Sequence, residues 1–374
     1  MKIRNFLWIC FVGIISCTKP IEKNSLDSFK GVLNNRFYIG TALSNEQLIR
    51  EDNKILREAA NQFNAIVPEN CMKSALIHPQ KEVYNFTLAD RFIEYGLQHD
   101  MWMTGHTLIW HSQTPDWFFK DSNGNEVKRD ELIHRMKDHI TTLVHRYKDF
   151  IKGWDVVNEA IEDDGSYRET KFYKIIGPEY INLAFKFARE ADPKAELYYN
   201  DYSMTLPEKR AGVIRMIRAL QRQGIRVDGI GMQGHVNLTS PSIEAFENSI
   251  VAYADLGVKV MITEFDISVL PFPNEHLGAD INTTVSYKEQ LNPYKEKLPD
   301  TIQQKFNDRC FDFFKLFLKY DKAITRVTVW GVSDEYSWKN DWPITGRTDY
   351  PLLIGRNHKP KEILKQLTTY VANK

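Results

Sequence analysis

This 374-residue sequence has few cysteines, no formal net charge and few long apolar runs. Lys and Arg together number 49, as do Asp and Glu, so the formal net charge is zero. A protein that binds nucleic acid through bulk charge needs a basic excess, so we expect no nucleic-acid partner. Hydrophobic residues make up 43% of the chain, which is enough for a large core. Aromatic residues make up 12% and indicate a ring-rich core, or a site for flat, apolar-faced ligands such as sugars.

The four cysteines do not form a framework of disulfides. Cys10 and Cys17 lie near the N-terminus, and Cys71 and Cys310 are 239 positions apart. No Cys-x-x-Cys pair is present, which argues against a zinc or dithiol redox site. We favour two free buried thiols at Cys71 and Cys310, with one long-range disulfide as the alternative.

The N-terminal sequence is typical of an export signal. Lys2 and Arg4 precede an apolar run of about ten residues (6–15), which is too short for a membrane-spanning helix. The segment 14–17, Ile-Ile-Ser-Cys, resembles a bacterial lipoprotein signal, in which the cysteine is lipidated and becomes the first residue. An ordinary secretory signal with an incidental cysteine is the alternative. We predict a signal peptide over 1–16, lipidation at Cys17, a polar tether over 17–30 and one folded domain over 31–374. The protein would be lipid-anchored at the cell envelope, on the outer membrane surface or the periplasmic face.

Eight short β-rich runs alternate with amphipathic stretches. The runs are Arg36–Leu43, Ala65–Met72, Met101–Trp110, Ile151–Ala160, Ala195–Ser203, Asp228–Val236, Lys259–Ser268 and Ile324–Asp334. The amphipathic stretches are Asn45–Asn61, Leu88–His99, Glu131–Tyr147, Tyr180–Ala191, Pro207–Gln223, Ser242–Leu256 and Asp300–Lys319. Such alternation predicts parallel strands joined by helical crossovers. The fold class is therefore α/β, and eight units favour a single-domain (β/α)8 TIM barrel over an open doubly wound sheet.

Polar residues collect where these strands end. In a barrel the strand C-termini meet at one rim, where active sites lie. Glu159 ends the fourth run and Glu264 lies near the end of the seventh. A pair of carboxyl groups across a glycosidic bond can hydrolyse it, with one protonating the leaving oxygen and the other attacking the anomeric carbon. The pattern predicts a glycoside hydrolase.

The strand-end motifs resemble those of glycoside hydrolase family 10, the retaining endo-β-1,4-xylanases. The resemblance covers residues 31 to 374, and its motifs stand in family order and spacing. They are FYIGTAL, PENCMK, GHTLIWHSQTPDWF, WDVVNEAIEDDGSYR, YYNDY, GIGMQGHV, ITEFDIS and VWGVSDEYSW. The resemblance implies cleavage of internal xylosidic bonds of xylan with retention of configuration, without metal or cofactor. The expected partners are xylan, xylo-oligosaccharides and a membrane, and we expect a monomer.

The resemblance also implies roles for individual residues. Glu159 is expected to be the acid/base and Glu264 the nucleophile. His235 is expected to hydrogen-bond Glu264 and keep it ionised, with Asp266 as its partner. The expected sugar contacts are Glu69, Asn70 and Lys73 on the donor side, His106, Trp110 and Gln113 around the reacting and preceding sugars, Asn158 at the 2-hydroxyl, Gln233 and His235 beside the carboxylates, Tyr202 on the acceptor side, and Trp330 and Trp338 over the reacting sugar.

Two alternative functions stay open at this stage. One is a retaining barrel hydrolase that acts on another β-1,4-glycan, such as a glucan or mannan. The other is a lipoprotein that binds glycans without cutting them. One departure from the family bears on affinity for distant sugars: Ser74 follows Lys73 where the family often has Trp.

Overall fold

The computed structural model describes residues 26–50, 54–273 and 284–374. The predicted signal peptide, Cys17 and most of the predicted tether lie outside the described residues. Residues 274–283, which follow the seventh predicted run, also lie outside the described residues.

The described strands form one closed parallel sheet. They are β1 (Tyr38–Leu43), β2 (Ala65–Pro68), β3 (Trp102–Trp110), β4 (Gly153–Asn158), β5 (Glu196–Asp201), β6 (Gly229–Met232), β7 (His235–Asn237), β8 (Lys259–Ser268) and β9 (Ile324–Val329). Neighbours along the sheet run β1 to β6, then β8 and β9, and β9 pairs with β1 to close the barrel. The predicted TIM barrel is confirmed.

Helices lie between the strands, as the alternation predicted. They are α1 (Phe29–Val32), α2 (Asn45–Ile49), α3 (Lys54–Gln62), α4 (Ser74–Ile77), α5 (Thr87–Gln98), α6 (Arg129–Tyr147), α7 (Lys171–Ile176), α8 (Tyr180–Ala191), α9 (Pro207–Arg222), α10 (Ile243–Ala254), α11 (Asp300–Lys319) and α12 (Ile363–Ala372). The stretch 45–61, predicted as one helix, contains two, and α1, α4, α7 and α12 were not predicted.

The sixth predicted strand is divided into two. β6 belongs to the barrel wall, whereas β7 pairs only with the outer end of β8, with His235 opposite Asp266. Gly234 separates them at a φ of 83°, a left-handed conformation that favours glycine. This break carries His235 away from the barrel wall and beside the carboxyl end of β8.

Residues just before the predicted domain start at residue 31 already contact the barrel. Phe29 is fully buried, and its backbone N–H donates to Gln62 Oε1 at 3.2 Å. Lys30 Nζ donates to the carbonyl of Ala60, and Thr368 Oγ1 to that of Leu26. These contacts pack residues 26–30 against the domain, and the burial of Phe29 adds apolar surface to its core.

Cys71 and Cys310 are both buried and both free, as favoured from the sequence. Burial raises the pKa of the Cys71 thiol to about 12. Neither thiol is therefore expected to react at neutral pH.

Two neutral histidines are buried between the loop after β2 and helix α6. His78 Nδ1 lies 3.1 Å from His139 Nδ1, and His139 Nε2 lies 3.3 Å from Ser74 Oγ. Burial lowers the pKa of His78 to about 4. Burial, with the nearby His78, lowers that of His139 to about 3. One ring must donate to the other, which requires that at least one stays neutral.

We expect His139 to make the fold sensitive to acid. Its pKa in the folded state is below the unfolded value of about 6.5, so its contribution to stability is present above pH 6.5 and is lost as the pH falls towards about 3. Between neutral pH and about pH 4.5, wild type should lose on the order of 2 kcal/mol more unfolding free energy than His139→Gln. Urea unfolding at both pH values measures this. His134→Gln, at an exposed position of the same helix, is the control and should follow wild type. Equal losses in all three proteins would contradict the prediction.

Candidate active site

All fourteen residues predicted as catalytic or sugar-binding line one cleft at the carboxyl ends of the strands. The cleft has a volume of about 890 Å³. It is lined by Glu69, Asn70, Lys73, His106, Trp110, Gln113, Asn158, Glu159, Tyr202, Gln233, His235, Glu264, Trp330 and Trp338 among others. These residues come from the ends of seven of the eight barrel strands, and the barrel brings them together because its parallel strands end at one rim.

Glu159 directly follows β4 and is 7% exposed. Its backbone has a φ of 57°, an uncommon conformation for a residue with a side chain. Trp110 Nε1 donates to Oε2 at 2.8 Å, and Gln233 Nε2 donates to Oε1 at 2.9 Å. Asn158 Nδ2 also lies 3.3 Å from Oε1. Both carboxyl oxygens are therefore held in place by side chains from the ends of β3 and β6.

Glu264 lies within β8 and is 5% exposed. Asn200 Nδ2 donates to its Oε1 at 2.8 Å, and His235 Nε2 lies 3.2 Å from its Oε2. Burial alone would raise the pKa of this carboxyl, but the His235 hydrogen bond and the charges of His106 and His235 lower it below its ordinary value. Glu264 is thus held as a carboxylate.

His235 is the cation that faces Glu264. Its other ring nitrogen, Nδ1, lies 2.8 Å from Asp266 Oδ2. Burial disfavours the imidazolium, but Asp266 and the hydrogen bond to Glu264 together raise the pKa of His235 to about 9. Trp338 Nε1 donates to the same Asp266 oxygen at 2.9 Å. The predicted contacts of His235 with Glu264 and Asp266 are confirmed.

Asn200 connects Glu264 to Asn158 and was not among the predicted site residues. Its Nδ2 donates both to Glu264 Oε1 and to Asn158 Oδ1, at 2.8 and 2.9 Å. Thr263 Oγ1 in turn donates to Asn200 Oδ1 at 2.6 Å. Gly231 leaves the necessary space, because a Cβ there would lie 2.3 Å from Asn200 Oδ1. The signal for Asn200 was its place in the YYNDY motif at a strand end.

Polar and charged groups gather at the predicted donor side. Lys73 Nζ donates to Asn70 Oδ1 at 2.9 Å and lies 4.9 Å from the centroid of the Trp110 ring. Asn70 Nδ2 lies 3.2 Å from Glu69 Oε1. Burial lowers the pKa of Lys73 and raises that of Glu69, and hydrogen bonds to sugar hydroxyls can offset the cost of burying these polar groups.

Gln113 and His106 continue this wall. Gln113 has a φ of 49°, and its carbonyl accepts from the Ala75 N–H at 2.8 Å, which joins the loops after β2 and β3. His106 Nδ1 lies 2.9 Å from Asp155 Oδ2. Asp155, a buried residue of β4 that the sequence reasoning missed, thereby orients the His106 ring.

Aromatic rings close the other side of the cleft. Trp330 meets the His106 ring edge-on, with centroids 5.4 Å apart. Trp338 stacks on Trp342 at 5.0 Å. Tyr202 lies beyond Glu159, and its hydroxyl accepts from Arg168 Nη2 at 2.7 Å. Apolar ring faces beside hydrogen-bonding groups suit a sugar, whose ring has both kinds of surface.

The arrangement places two carboxyl groups of different environment in one largely buried cleft. Glu264 faces a cation, whereas Glu159 accepts hydrogen bonds from neutral indole and amide donors. Within the described residues, no group of three or more His, Cys, Asp or Glu side chains could hold a metal ion. Acid–base and nucleophilic chemistry by two carboxyl groups fits the residues that are present.

Several known proteins are similar to this chain in sequence and in fold. Residues 28–370 match the model of glycosyl hydrolase family 10. The endo-1,4-beta-xylanase A of Xylanibacter ruminicola is 48% identical over 340 residues, which are 91% of this chain and 92% of that protein. That of Caldicellulosiruptor saccharolyticus is 39% identical over 337 residues, which are 89% of this chain and 93% of that protein. A solved GH10 endoxylanase from a sugarcane soil metagenome is 42% identical with a TM-score of 0.87, covering 92% of this chain and 99% of the other. The chain therefore belongs to glycosyl hydrolase family 10.

Proposed function

We propose that this protein hydrolyses internal β-1,4-xylosidic bonds of xylan with retention of configuration. The observation that carries the proposal is the pair Glu159 and Glu264, which face one cleft from β4 and β8 and are held in different environments. Xylan and xylo-oligosaccharides are the proposed substrates because the chain closely matches endo-1,4-beta-xylanases over most of its length.

In the first step Glu264 attacks the anomeric carbon of the donor sugar as a carboxylate. Glu159 gives its proton to the leaving glycosidic oxygen, and a glycosyl ester with Glu264 forms as the glycosidic bond breaks. In the second step Glu159, now ionised, takes a proton from a water molecule. The oxygen of this water attacks the anomeric carbon, and Glu264 leaves as a carboxylate.

The walls of the cleft support a xylose unit at the reacting position. Trp330 is only 6% exposed, and Trp338 is held by both Asp266 and Trp342. Two fixed indoles leave little freedom for an additional hydroxymethyl group, which glucose has and xylose lacks. Asn158 is placed to meet a 2-hydroxyl, because Asn200 occupies its Oδ1 and orients its amide. A β-glucan or mannan substrate is the alternative within the same mechanism.

We also propose that the protein is an exported, monomeric lipoprotein anchored through Cys17. The N-terminal sequence supports this proposal, since Cys17 follows a short apolar run and a small residue. The path of the chain is compatible with it. Leu26, Phe29 and Lys30 contact α12 and the last turn of α3, at the end of the barrel where the strands begin. An anchor attached there would leave the cleft, at the other end, open to a polysaccharide. No helix among the described residues is long and apolar enough to cross a membrane.

Variants of the two glutamates should separate their roles. Glu264→Ala should lower kcat on xylan and on aryl xylobiosides alike, by at least about 10⁴-fold, because no other group can form the ester. Glu159→Ala should lower kcat on xylan by about 10²–10⁴-fold and should spare the first step on a dinitrophenyl xylobioside, whose leaving group needs no proton. Steady-state and burst kinetics on both substrates measure this. Equal losses of the first-step rate on both substrates in Glu159→Ala would contradict its assignment as the acid.

Proton NMR of the first products should show the stereochemistry. On xylan we expect the β-anomer before mutarotation, because two inversions at the anomeric carbon restore its configuration. A β-glucan at equal concentration should release little product. Early α-anomer would exclude the covalent intermediate. Faster cleavage of the β-glucan than of xylan would show that a glucan is the preferred substrate.

Loss of the His235 cation should shift the pH profile. The imidazolium holds Glu264 ionised below about pH 9 and loses its charge as the pH rises through that value. In His235→Asn the pKa of Glu264 should rise, so the acid limb of kcat/KM should move upwards by about one pH unit or more. Profiles measured with a dinitrophenyl xylobioside report this limb without the acid step. His145→Asn, exposed on α6, is the control. An unshifted acid limb in His235→Asn would show that the cation does not tune Glu264.

A further inference from the structure

A buried ion pair lies behind the acid/base glutamate, outside the residues assigned so far. Lys209 of α9 and Asp201 of β5 are both fully buried, and Lys209 Nζ lies 2.9 Å from Asp201 Oδ1. Lys209 Nζ also lies 3.3 Å from Asp163 Oδ1, on the loop that follows Glu159. Taking two charges out of water costs several kcal/mol per ion, so this pair depends on the surrounding hydrogen bonds.

One set of those hydrogen bonds leads to the acid/base. The Tyr199 hydroxyl donates to Asp201 Oδ2 and accepts from the backbone N–H of Ala160 at 3.0 Å. Ala160 directly follows Glu159, whose left-handed backbone needs support from its surroundings. The buried carboxylate therefore holds the backbone that aims Glu159.

A second set leads to the acceptor-side ring. Asp201 Oδ1 accepts from the Tyr202 N–H at 2.9 Å, and Lys209 Nζ lies 3.6 Å from the centroid of the Tyr202 ring. Arg168 joins the two ends, because its Nη2 donates to the Tyr202 hydroxyl at 2.7 Å and its Nε donates to the Glu159 carbonyl at 2.8 Å. The acceptor ring and the acid/base are thus tied to the same ion pair.

We propose that the Lys209–Asp201 pair is a positioning element that fixes Glu159 relative to the acceptor ring Tyr202, and so directs the proton to the leaving sugar. An apolar pair of similar volume could pack α9 against β5 equally well, but it could not supply these directed bonds. The inference rests on the proposed role of Glu159 as the acid. Its effect falls on reactions whose leaving group is a sugar.

The test is the double variant Lys209→Met with Asp201→Asn, which removes both charges and keeps a similar shape. With xylotriose we expect kcat/KM to fall by about 10- to 100-fold, because a displacement of about 1 Å can cost a reaction about 10²-fold. With a dinitrophenyl xylobioside, which needs neither a proton nor an acceptor sugar, kcat/KM should change by less than about threefold. Tyr202→Phe, which keeps the ring and removes the bond from Arg168, should change the ratio of the two kcat/KM values in the same direction but less.

The matched control is Lys361→Met with Asp334→Asn. This pair is likewise buried, with Nζ 3.0 Å from Oδ2, but its bonds go to Tyr350 and Leu352 in the segment after β9. It should lower the melting temperature and leave the ratio of the two kcat/KM values unchanged. Equal losses on both substrates in the Lys209/Asp201 variant would overturn the positioning role. If Glu159→Gln also lowers kcat/KM equally on both substrates, the assignment of Glu159 as the acid fails. The two variants thus distinguish a failure of the positioning role from a failure of the proposed function.

Discussion

The active site depends on giving two buried carboxyl groups different surroundings within one cleft. Burial raises the free energy of any isolated charge, so a buried carboxylate needs a compensating partner. The structure resolves this at Glu264 by placing the His235 imidazolium against it and Asp266 behind His235. Glu159 has only neutral donors around it. The different environments are what suit one group to attack and the other to transfer a proton.

Much of the remaining polar architecture follows from that requirement. The break at Gly234 turns His235 towards β8, and Gly231 leaves space for Asn200 to reach Glu264. Asn200 then orients Asn158, and the Lys209–Asp201 pair supports the strained backbone beside Glu159. These side chains come from β4, β5, β7 and helix α9. The barrel matters to the chemistry because it is rigid and brings the ends of its strands to one rim.

Sequence patterns predicted the elements that depend on local periodicity. The helix Asp300–Lys319 has the predicted bounds, because its apolar spacing, Pro299 before it and the strand after it all act locally. The split of the sixth strand was missed, because a glycine within an apolar run is compatible both with a break and with a continuous strand. The first helix was missed because it is a single turn, Phe29–Val32, which is too short for an apolar period to appear, and its burial depends on packing against α3 and α12.

The sequence by itself determined the alternation of strands and helices, and with it the barrel and the rim at which Glu159 and Glu264 lie. It also determined which chemical groups each strand end carries. The tertiary structure decided which of these groups touch. The pairing of His235 with Glu264, the bridge through Asn200 and the burial of Lys209 beside Asp201 join residues that are 8 to 64 positions apart. Periodicity along a chain cannot specify such contacts, because they arise only when separate strands close on one another.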